Sequence, residues 1–319
     1  MHTEFYTALA SFAITAVLGI FLIPILDKLK FGQTIRIDGP KRHLKKSGTP
    51  TMGGIIFIPA IALAALLFSH NSWEVYLGIA SMVGFGLIGF ADDFIKIIKK
   101  RSLGLRANQK LVFQLILSLG LIIYIFARYP RPTEILIPFN FGYLDIGILY
   151  IPITMIFVCM GTVNSVNLAD GLDGLVSGVV AIISFFYTVL LIINNYGELA
   201  VFSSAITGAC LGFLLFNRYP ARVFMGDTGA FGLGGALAAI AVFSRSHFYL
   251  IILGMIFIIE TISVVIQVIY FRLTGKRIFK MSPIHHHFEL SGWSERKVVY
   301  SFWLFTFLMG VLSLFIHLI

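Results

Sequence analysis

Charged residues are scarce in this 319-residue sequence. They make up 12% of the chain, while hydrophobic residues make up 58% and the mean hydropathy is +0.92. A soluble domain carries about 25% charged residues. So few charges do not cover a water-facing surface, which excludes a soluble enzyme, a disordered protein and a fibrous repeat protein. The sequence therefore predicts a protein whose solvent is mainly lipid.

Cysteine is nearly absent as well. Cys159 and Cys210 stand singly inside apolar segments, and no CxxC or Cys/His spacing occurs. This excludes a disulfide framework and gives no indication of a zinc site. The first residues also lack the basic segment of a cleavable signal peptide. We therefore expect the first apolar segment to remain as a membrane span.

Long apolar segments are abundant. A membrane-spanning helix needs about 20 apolar residues. The sequence contains ten such segments, near 5–26, 51–69, 75–91, 111–127, 147–163, 175–193, 199–216, 228–243, 249–271 and 297–317. This pattern predicts an all-α polytopic integral membrane protein, with residues 1–319 forming a single transmembrane catalytic domain.

The connections between these segments alternate in charge. One set, at 27–50, 92–110, 164–174, 217–227 and 272–297, carries 21 of the 24 Lys and Arg residues. The positive-inside rule places this set in the cytoplasm and both termini outside. Topology accounts for the net charge of +9 without a nucleic-acid partner. The external connection 128–146 has Pro, Asn and Gly around β-forming residues, which predicts a small hairpin.

Acidic residues concentrate on the predicted cytoplasmic side. Nine of the fifteen lie in its connections, and only Glu260 lies in the middle of a span. An ion-coupled transporter places several ionisable groups near the midplane, so this distribution favours chemistry at the membrane surface. Glu260 is either a functional acid or a hydrogen-bonded helix partner. Gln267, seven residues later, lies on the same helical stripe.

Asp92 and Asp93 end the third predicted span. The carboxyl end of a helix disfavours negative charge, and adjacent carboxylates repel each other. Either nearby lysines neutralise the pair, or a divalent cation binds there. Hard oxygen ligands indicate Mg²⁺ rather than zinc.

A second polar segment, NSVNLADGLDGL, covers residues 164–175. Asn164, Asn167, Asp170 and Asp173 recur every three residues, which on a helix would place them on one face. Helix capping explains one of them, but a nucleotide or sugar diphosphate would use the whole set.

NRYPARVFMGDTGA, at 217–230, ends on a third acid site. Asp227 is either a helix cap or part of a shared pocket. Phe224 is suited to stack on a base, and Asn217 to hydrogen-bond its edge.

Two further cytoplasmic segments carry polar clusters. The triplet His285, His286 and His287 lacks other soft metal ligands, so imidazoles that contact phosphate are more consistent with the sequence. The first loop combines basic residues with GTPTMGG at 48–54, which is not a P-loop but is suited to a phosphate. Lys110 is another cation predicted on the same side.

Five motifs together resemble one family. GTPTMGG, ADDFIKI, NSVNLADGLDGL, NRYPARVFMGDTGA and SPIHHHFELSGWSE are similar to segments of the bacterial phospho-N-acetylmuramoyl-pentapeptide transferases. The similarity extends from Lys41 to the tenth predicted span. The aspartate motifs alone are typical of the wider polyprenyl-phosphate N-acetylhexosamine-1-phosphate transferase superfamily, and GTPTMGG and the histidines resemble the muramoyl branch.

The resemblance implies ten transmembrane helices, a homodimer in the bacterial inner membrane, Mg²⁺ dependence and a cytoplasmic active site. The implied reaction joins UDP-MurNAc-pentapeptide and undecaprenyl phosphate into undecaprenyl-diphospho-MurNAc-pentapeptide (lipid I) with release of UMP. Two alternatives stay open. A relative using UDP-GlcNAc would share the catalytic acids, and an ion-coupled transporter would use Glu260.

The resemblance also implies roles for individual residues. Asp227 corresponds to the principal Mg²⁺ ligand and is assisted by Asp92 and Asp93. The remaining catalytic positions are Lys96, Lys110, His285, His286 and His287. The implied substrate-binding positions are Lys46, Thr51, Asn164, Asn167, Asp170, Gly171, Leu172, Asp173, Asn217, Phe224, Gly226 and Gln267. We expect direct attack by the lipid phosphate, with Asp93 orienting the acceptor, rather than a covalent aspartate intermediate.

Overall fold

The computed structural model describes residues 2–29, 48–99, 103–139 and 141–319. Within these ranges, nine helical segments are long and apolar enough to cross a membrane. They are α1 (His2–Lys28), α3 (Trp73–Ile98), α4 (Ala107–Arg128), the segment Gly147–Ala169, α7 (Leu175–Ile193), α8 (Gly197–Asn217), α9 (Gly226–Phe243), α11 (Met255–Thr274) and α13 (Glu295–Leu318). The prediction of an all-α polytopic membrane protein is confirmed.

The second predicted span is a shorter helix, α2 (Gly54–Phe68), with 15 residues. At 1.5 Å per residue it extends about 23 Å, less than the roughly 30 Å of a bilayer core. The glycine-rich sequence before Gly54 is taken up by the loop that leads into the helix. The helix is apolar along its whole length and packs against α1, α8 and α9.

The segment Gly147–Ala169 is not a regular α-helix. It begins with a 3₁₀ turn (Gly147–Leu149) and α5 (Tyr150–Pro152), continues as a π-helix (Ile153–Gly161) and ends as α6 (Thr162–Ala169). The ninth predicted span, 249–271, is also divided. Its helix is broken at Gly254 between α10 (His247–Leu253) and α11.

The hairpin predicted within 128–146 is present. Strand β1 (Glu134–Leu136) pairs antiparallel with β2 (Tyr143–Asp145), with Ile135 opposite Leu144. Glu134 forms an ion pair of 3.2 Å with Arg245, and the backbone N–H of Leu136 donates to the carbonyl of Arg245. These contacts hold the hairpin on the turn between α9 and α10.

Helix α9 occupies the centre of the bundle. From Thr228 to Phe243 all its residues are buried. Its glycines and alanines allow close approach: a Cβ at Gly234 would lie 2.6 Å from the Cα of Val163, and one at Gly54 would lie 2.5 Å from the backbone N of Gly229. Small residues at helix interfaces permit such packing in membranes. The first turn of α9 is thereby fixed against α2, and its middle against α6.

Candidate active site

Three aspartates meet where α3 ends and α9 begins. Asp92 and Asp93 lie near the carboxyl end of α3, and Asp227 lies in the first turn of α9. One carboxylate oxygen from each lies within 4.8 Å of the others, and Asp92 and Asp93 are buried. The predicted convergence of these residues is therefore present in the structure.

Two glycines make this convergence possible. A Cβ at Gly89 would lie 2.1 Å from the carbonyl oxygen of Asp227, so α3 contacts the backbone of α9 directly. Gly226 has φ +69°, and a Cβ there would lie 2.6 Å from Oδ2 of Asp93. Side chains at either position would push the carboxylates apart.

Two lysines bind the aspartate cluster. Lys96 Nζ lies 2.6 Å from Asp92 Oδ2 and 3.1 Å from Asp227 Oδ2. Lys110, from α4, lies 3.1 Å from Asp92 Oδ1 and 3.0 Å from Asp227 Oδ2. Lysine neutralisation, one of the two alternatives for the acidic pair, is thus present. When all three carboxylates are ionised, the two ammonium groups leave one negative charge uncompensated.

The two adjacent aspartates differ in their partners. Asp93 Oδ2 accepts hydrogen bonds from the backbone N–H of Thr228 at 2.9 Å and from its hydroxyl at 2.8 Å. Asp92 Oδ1 accepts from the N–H of Leu105 at 2.6 Å, and a Cβ at Gly104 would collide with it. Asp93 is therefore oriented by α9, and Asp92 by the segment before α4.

The GTPTMGG segment forms one wall of the site. The N–H of Phe224 donates to the Pro50 carbonyl at 2.8 Å, and the N–H of Gly53 donates to the Phe224 carbonyl at 2.8 Å. This pairing brings buried Thr51 next to Gly226, and Phe224 is half-buried beside it. Lys46, predicted to bind the nucleotide, lies outside the described residues.

The second polar segment is not one helix, contrary to the expectation of a single face. Helix α6 ends at Ala169 and α7 begins at Leu175, so Asp170, Gly171, Leu172 and Asp173 lie in the turn between them. Gly174 has φ +78°, which separates the two helices. This left-handed residue, rather than an aspartate, stands at the N-cap of α7.

Asp170 faces the aspartate cluster across this turn. Burial, followed by the charges of Asp227, Asp93 and Asp173, raises the pKa of its carboxyl well above the ordinary value. Asp173 has a different environment, because its Oδ2 accepts a hydrogen bond of 2.9 Å from the N–H of Ala221. The turn is thus tied to the segment between α8 and α9.

Several predicted substrate ligands bind protein groups in the structure. Buried Asn217 accepts from the Gly174 N–H and the Ser177 hydroxyl and donates to the Val223 carbonyl, so it braces the turn at 174. Asn164 exchanges hydrogen bonds with Gln114 of α4 at 2.9 and 3.4 Å. These geometries support a positioning role for both asparagines. Asn167 lies half-buried on the last turn of α6, next to Asp170.

Gln267 is also engaged by the protein. Its side chain binds the backbone of residues 278–279, accepting from two N–H groups at 3.0 and 3.1 Å and donating to the Phe279 carbonyl. The glutamine therefore fixes the segment that precedes the histidines.

The histidine triplet lies in a short helix, α12 (Ile284–Leu290), and its members have different partners, although the ring centres of His285 and His286 lie 4.1 Å apart. His286 contacts Glu289 at 3.0 Å, and His287 accepts from the Lys280 N–H at 3.1 Å. Buried His285 turns inward, and a Cβ at Gly171 would lie 2.3 Å from its Nε2. Among the three, His285 is the one placed against the 170–173 turn.

Glu260 holds His285 in place. The Glu260 Oε1 atom lies 3.0 Å from His285 Nδ1, and both side chains are buried. Of the two alternatives for this mid-span acid, the hydrogen-bonded partner is the one found. The pairing joins α11 to α12, and the sequence contains no pattern that indicates it. The sequence likewise gives no signal for Thr228, which directly follows Asp227 and binds Asp93.

Comparisons with known proteins agree with this geometry. The profile described as "Glycosyl transferase family 4" matches residues 75–245, and a phospho-N-acetylmuramoyl-pentapeptide-transferase signature matches residues 46–58. The first range spans all three aspartates, and the second covers the loop that pairs with Phe224.

Curated relatives match almost the whole chain. The phospho-N-acetylmuramoyl-pentapeptide-transferase of Caldanaerobacter subterraneus subsp. tengcongensis is 52% identical, covering 97% of each chain. The one from Clostridioides difficile is 51% identical, covering 97% of this chain and 96% of its own. The one from Halalkalibacterium halodurans is 48% identical, covering 98% and 96%. The chain belongs to the phospho-N-acetylmuramoyl-pentapeptide transferase family.

Proposed function

We propose that this protein transfers phospho-MurNAc-pentapeptide from UDP-MurNAc-pentapeptide to undecaprenyl phosphate, giving lipid I and UMP in peptidoglycan synthesis. The observation that carries the proposal is the junction of Asp92, Asp93 and Asp227 with two lysines at one end of the membrane helices. Phosphoryl transfer between two anions requires charge neutralisation and positioning, which this junction provides.

The aspartate cluster fits Mg²⁺. Its donors are hard carboxylate oxygens without a soft ligand, and with all three ionised their charge exceeds that of the two lysines. Asp227, Asp92 and Asp93 would hold the ion. When bound, the ion would act as a Lewis acid that stabilises charge on the donor diphosphate and the leaving UMP.

Lys96 and Lys110 neutralise the phosphates of the donor. Their ammonium groups contact Asp227 at 3.1 and 3.0 Å and are partly exposed, so they are accessible to an entering anion. Each ammonium group can donate charge-assisted hydrogen bonds to the phosphate oxygens.

An oxygen of the acceptor phosphate attacks the β-phosphorus of the donor directly, and the bond from this phosphorus to UMP breaks. A phosphate monoester has its second pKa near 6, so at neutral pH it is mostly a dianion. The dianion has no proton to lose and therefore needs little help from a base. Asp93 orients the acceptor and takes any residual proton. Because Oδ2 of Asp93 already accepts two hydrogen bonds from Thr228, Oδ1 is the oxygen that contacts the acceptor. A phospho-sugar adduct on an aspartate that forms without acceptor and then proceeds to product would contradict direct attack.

The donor nucleotide binds between the GTPTMGG wall and the 170–173 turn. Phe224 stacks on the base. The rest of the donor site is lined by Thr51, Asn167, Gly171, Leu172 and Asp173. Asn164, Asn217 and Gln267 hold these parts in position through the hydrogen bonds described above. His285, oriented by Glu260, reaches the same turn and contacts phosphate. The protein works as a homodimer, with this site on the cytoplasmic face of the inner membrane.

A donor assay on the purified protein tests the function. UDP-MurNAc-pentapeptide and UDP-GlcNAc are each supplied with undecaprenyl phosphate and Mg²⁺, and UMP release is measured. We expect UMP release with the muramoyl donor only. Release with UDP-GlcNAc alone would assign the protein to another branch of the superfamily. Substrate flux in sealed vesicles without UMP release would instead support an ion-coupled transporter that uses Glu260.

A further inference from the structure

A basic groove lies beside the candidate active site. It has a volume of about 750 Å³ and is formed where α8 ends and α13 begins. Three arginines line it, Arg218, Arg222 and Arg296, and all three are exposed. Arg218 and Arg222 belong to the motif at 217–230 but have no role in the candidate active site described above, and none of the ion pairs between described residues includes any of the three arginines.

Aromatic rings orient two of the arginines. The Arg296 guanidinium lies 4.9 Å from the ring centre of Tyr219, and that of Arg222 lies 5.7 Å from the ring of Phe216. Stacking on a ring restricts a guanidinium while its N–H edge stays available for a phosphate. These two side chains are therefore prepared to bind an oxyanion.

The two helix ends at the groove have opposite effects on an anion. Arg218 caps the carboxyl end of α8, where the helix dipole stabilises this cation. Helix α13 begins at the groove, where its dipole favours negative charge, and Glu295 already stands in this first turn beside Arg296 and Lys297 and accepts from the Asp173 N–H. Asp173 is the acidic residue of the lining, and its Oδ2 already accepts from Ala221. The groove thus keeps an excess of positive charge.

The rest of the lining is mainly apolar, and much of it belongs to two candidate membrane spans. Leu214 and Leu215 of α8 and Val299 and Trp303 of α13 line the groove, and both helices are candidate membrane spans. Leu215 is 45% exposed and Tyr300 59% exposed. A ligand that fits has a phosphate for the arginines and hydrocarbon chains for this surface.

We propose that the groove binds an anionic phospholipid of the surrounding leaflet, with its phosphate among Arg218, Arg222 and Arg296 and its acyl chains along α8 and α13. The lining shares Asp173 with the proposed donor site but contains none of Asp92, Asp93 and Asp227, so the groove adjoins the donor site and is separate from the aspartate cluster. The proposal does not depend on the transferase reaction.

Tryptophan fluorescence tests the proposal without any measurement of turnover. Trp303 lines the groove, and replacing Trp73 and Trp293 by Phe leaves it as the single tryptophan of the chain. The protein is placed in phosphatidylcholine nanodiscs with increasing dibrominated phosphatidylglycerol, whose bromines quench a neighbouring indole. We expect quenching at a lower mole fraction than with dibrominated phosphatidylcholine.

Charge variants identify the arginines as the cause. In the R218Q/R222Q/R296Q protein, apparent affinity for phosphatidylglycerol should fall about tenfold or more, because charge-assisted contacts to phosphate are lost. The matched control R272Q/K276Q/R277Q removes three exposed charges from the last turn of α11 and the segment that follows it, and should change the affinity less than about twofold.

Three results would overturn the proposal. The first is equal quenching of Trp303 by the two brominated lipids. The second is a loss of phosphatidylglycerol affinity in the control variant as large as in the arginine variant. The third is stronger displacement of the brominated lipid by a polyprenyl phosphate than by unbrominated phosphatidylglycerol. The last result would assign the groove to the acceptor. The contrast between the two lipids needs no arginine variant, so a folding defect in the triple variant does not leave the proposal untested.

Discussion

Gly89→Ala is expected to separate the carboxylates without touching any of them. The new Cβ would lie 2.1 Å from the Asp227 carbonyl oxygen and 2.6 Å from the Thr228 nitrogen. An ordinary carbon–oxygen contact is about 3.3 Å or longer, so α3 and α9 must move apart by about 1 Å. Both groups belong to helix backbone and do not move by a rotamer change.

The size of the effect follows from this displacement. Overpacking of a tight contact costs about 1–3 kcal/mol of unfolding free energy. A displacement of about 1 Å at a reacting centre lowers the rate about 100-fold. We therefore expect Gly89→Ala to lower kcat about 100-fold and to require more Mg²⁺ for half-maximal activity. UMP release and the Tm of the detergent-purified protein measure both effects.

Gly120→Ala is the matched control. Gly120 lies within α4, and a Cβ there would meet no heavy atom within 4 Å. Because alanine favours a helix over glycine by about 1 kcal/mol, this variant should keep full activity and an equal or higher Tm. If Gly89→Ala kept the turnover and Mg²⁺ dependence of Gly120→Ala, the close approach of α3 and α9 would not be what positions the site.

Three further changes test separate parts of the site. Phe224→Ala should raise KM for the UDP donor and leave KM for the lipid acceptor nearly unchanged, and an equal rise in both would refute base stacking. Glu260→Gln should lower kcat about tenfold with little change in donor KM, because it loosens His285, and Glu260→Asp should recover part of the loss. Asp170→Asn should raise the Tm of the protein without Mg²⁺ and donor at neutral pH. Because its pKa is raised, the Asp170 carboxyl destabilises the folded state at pH values above the ordinary aspartate pKa of about 3.9. The gain in Tm from Asp170→Asn must therefore shrink as the pH falls. A gain in Tm that does not change with pH would contradict this explanation.

The meeting of the aspartates could be predicted because topology alone brings them to one face. Alternating charge places Asp92, Asp93 and Asp227 on the same side of the membrane, whatever the packing of the helices between them. The external hairpin could be predicted for a similar reason, since the turn residues of 128–146 act locally.

The details of the site depend on packing, which periodicity does not describe. The three-residue spacing of Asn164, Asn167, Asp170 and Asp173 suggested one helix, but the left-handed Gly174 and the end of α6 at Ala169 place the aspartates in a turn. The braces formed by Asn217 and Gln267 use backbone groups of other segments. The Glu260–His285 pair joins separate helices and has no local signature.

Comparing the Mg²⁺ dependence of turnover in the wild-type protein and in Asp227→Asn decides whether the three aspartates form the catalytic metal site. UMP release from UDP-MurNAc-pentapeptide with undecaprenyl phosphate is measured over a range of Mg²⁺ concentrations, in the wild-type protein and in the variant. We predict saturable Mg²⁺ activation of the wild type and almost no release by the variant at any concentration, with Tm and elution volume unchanged. Turnover by Asp227→Asn close to the wild-type rate, with the same Mg²⁺ response, would contradict the claim that the three aspartates form the catalytic metal site.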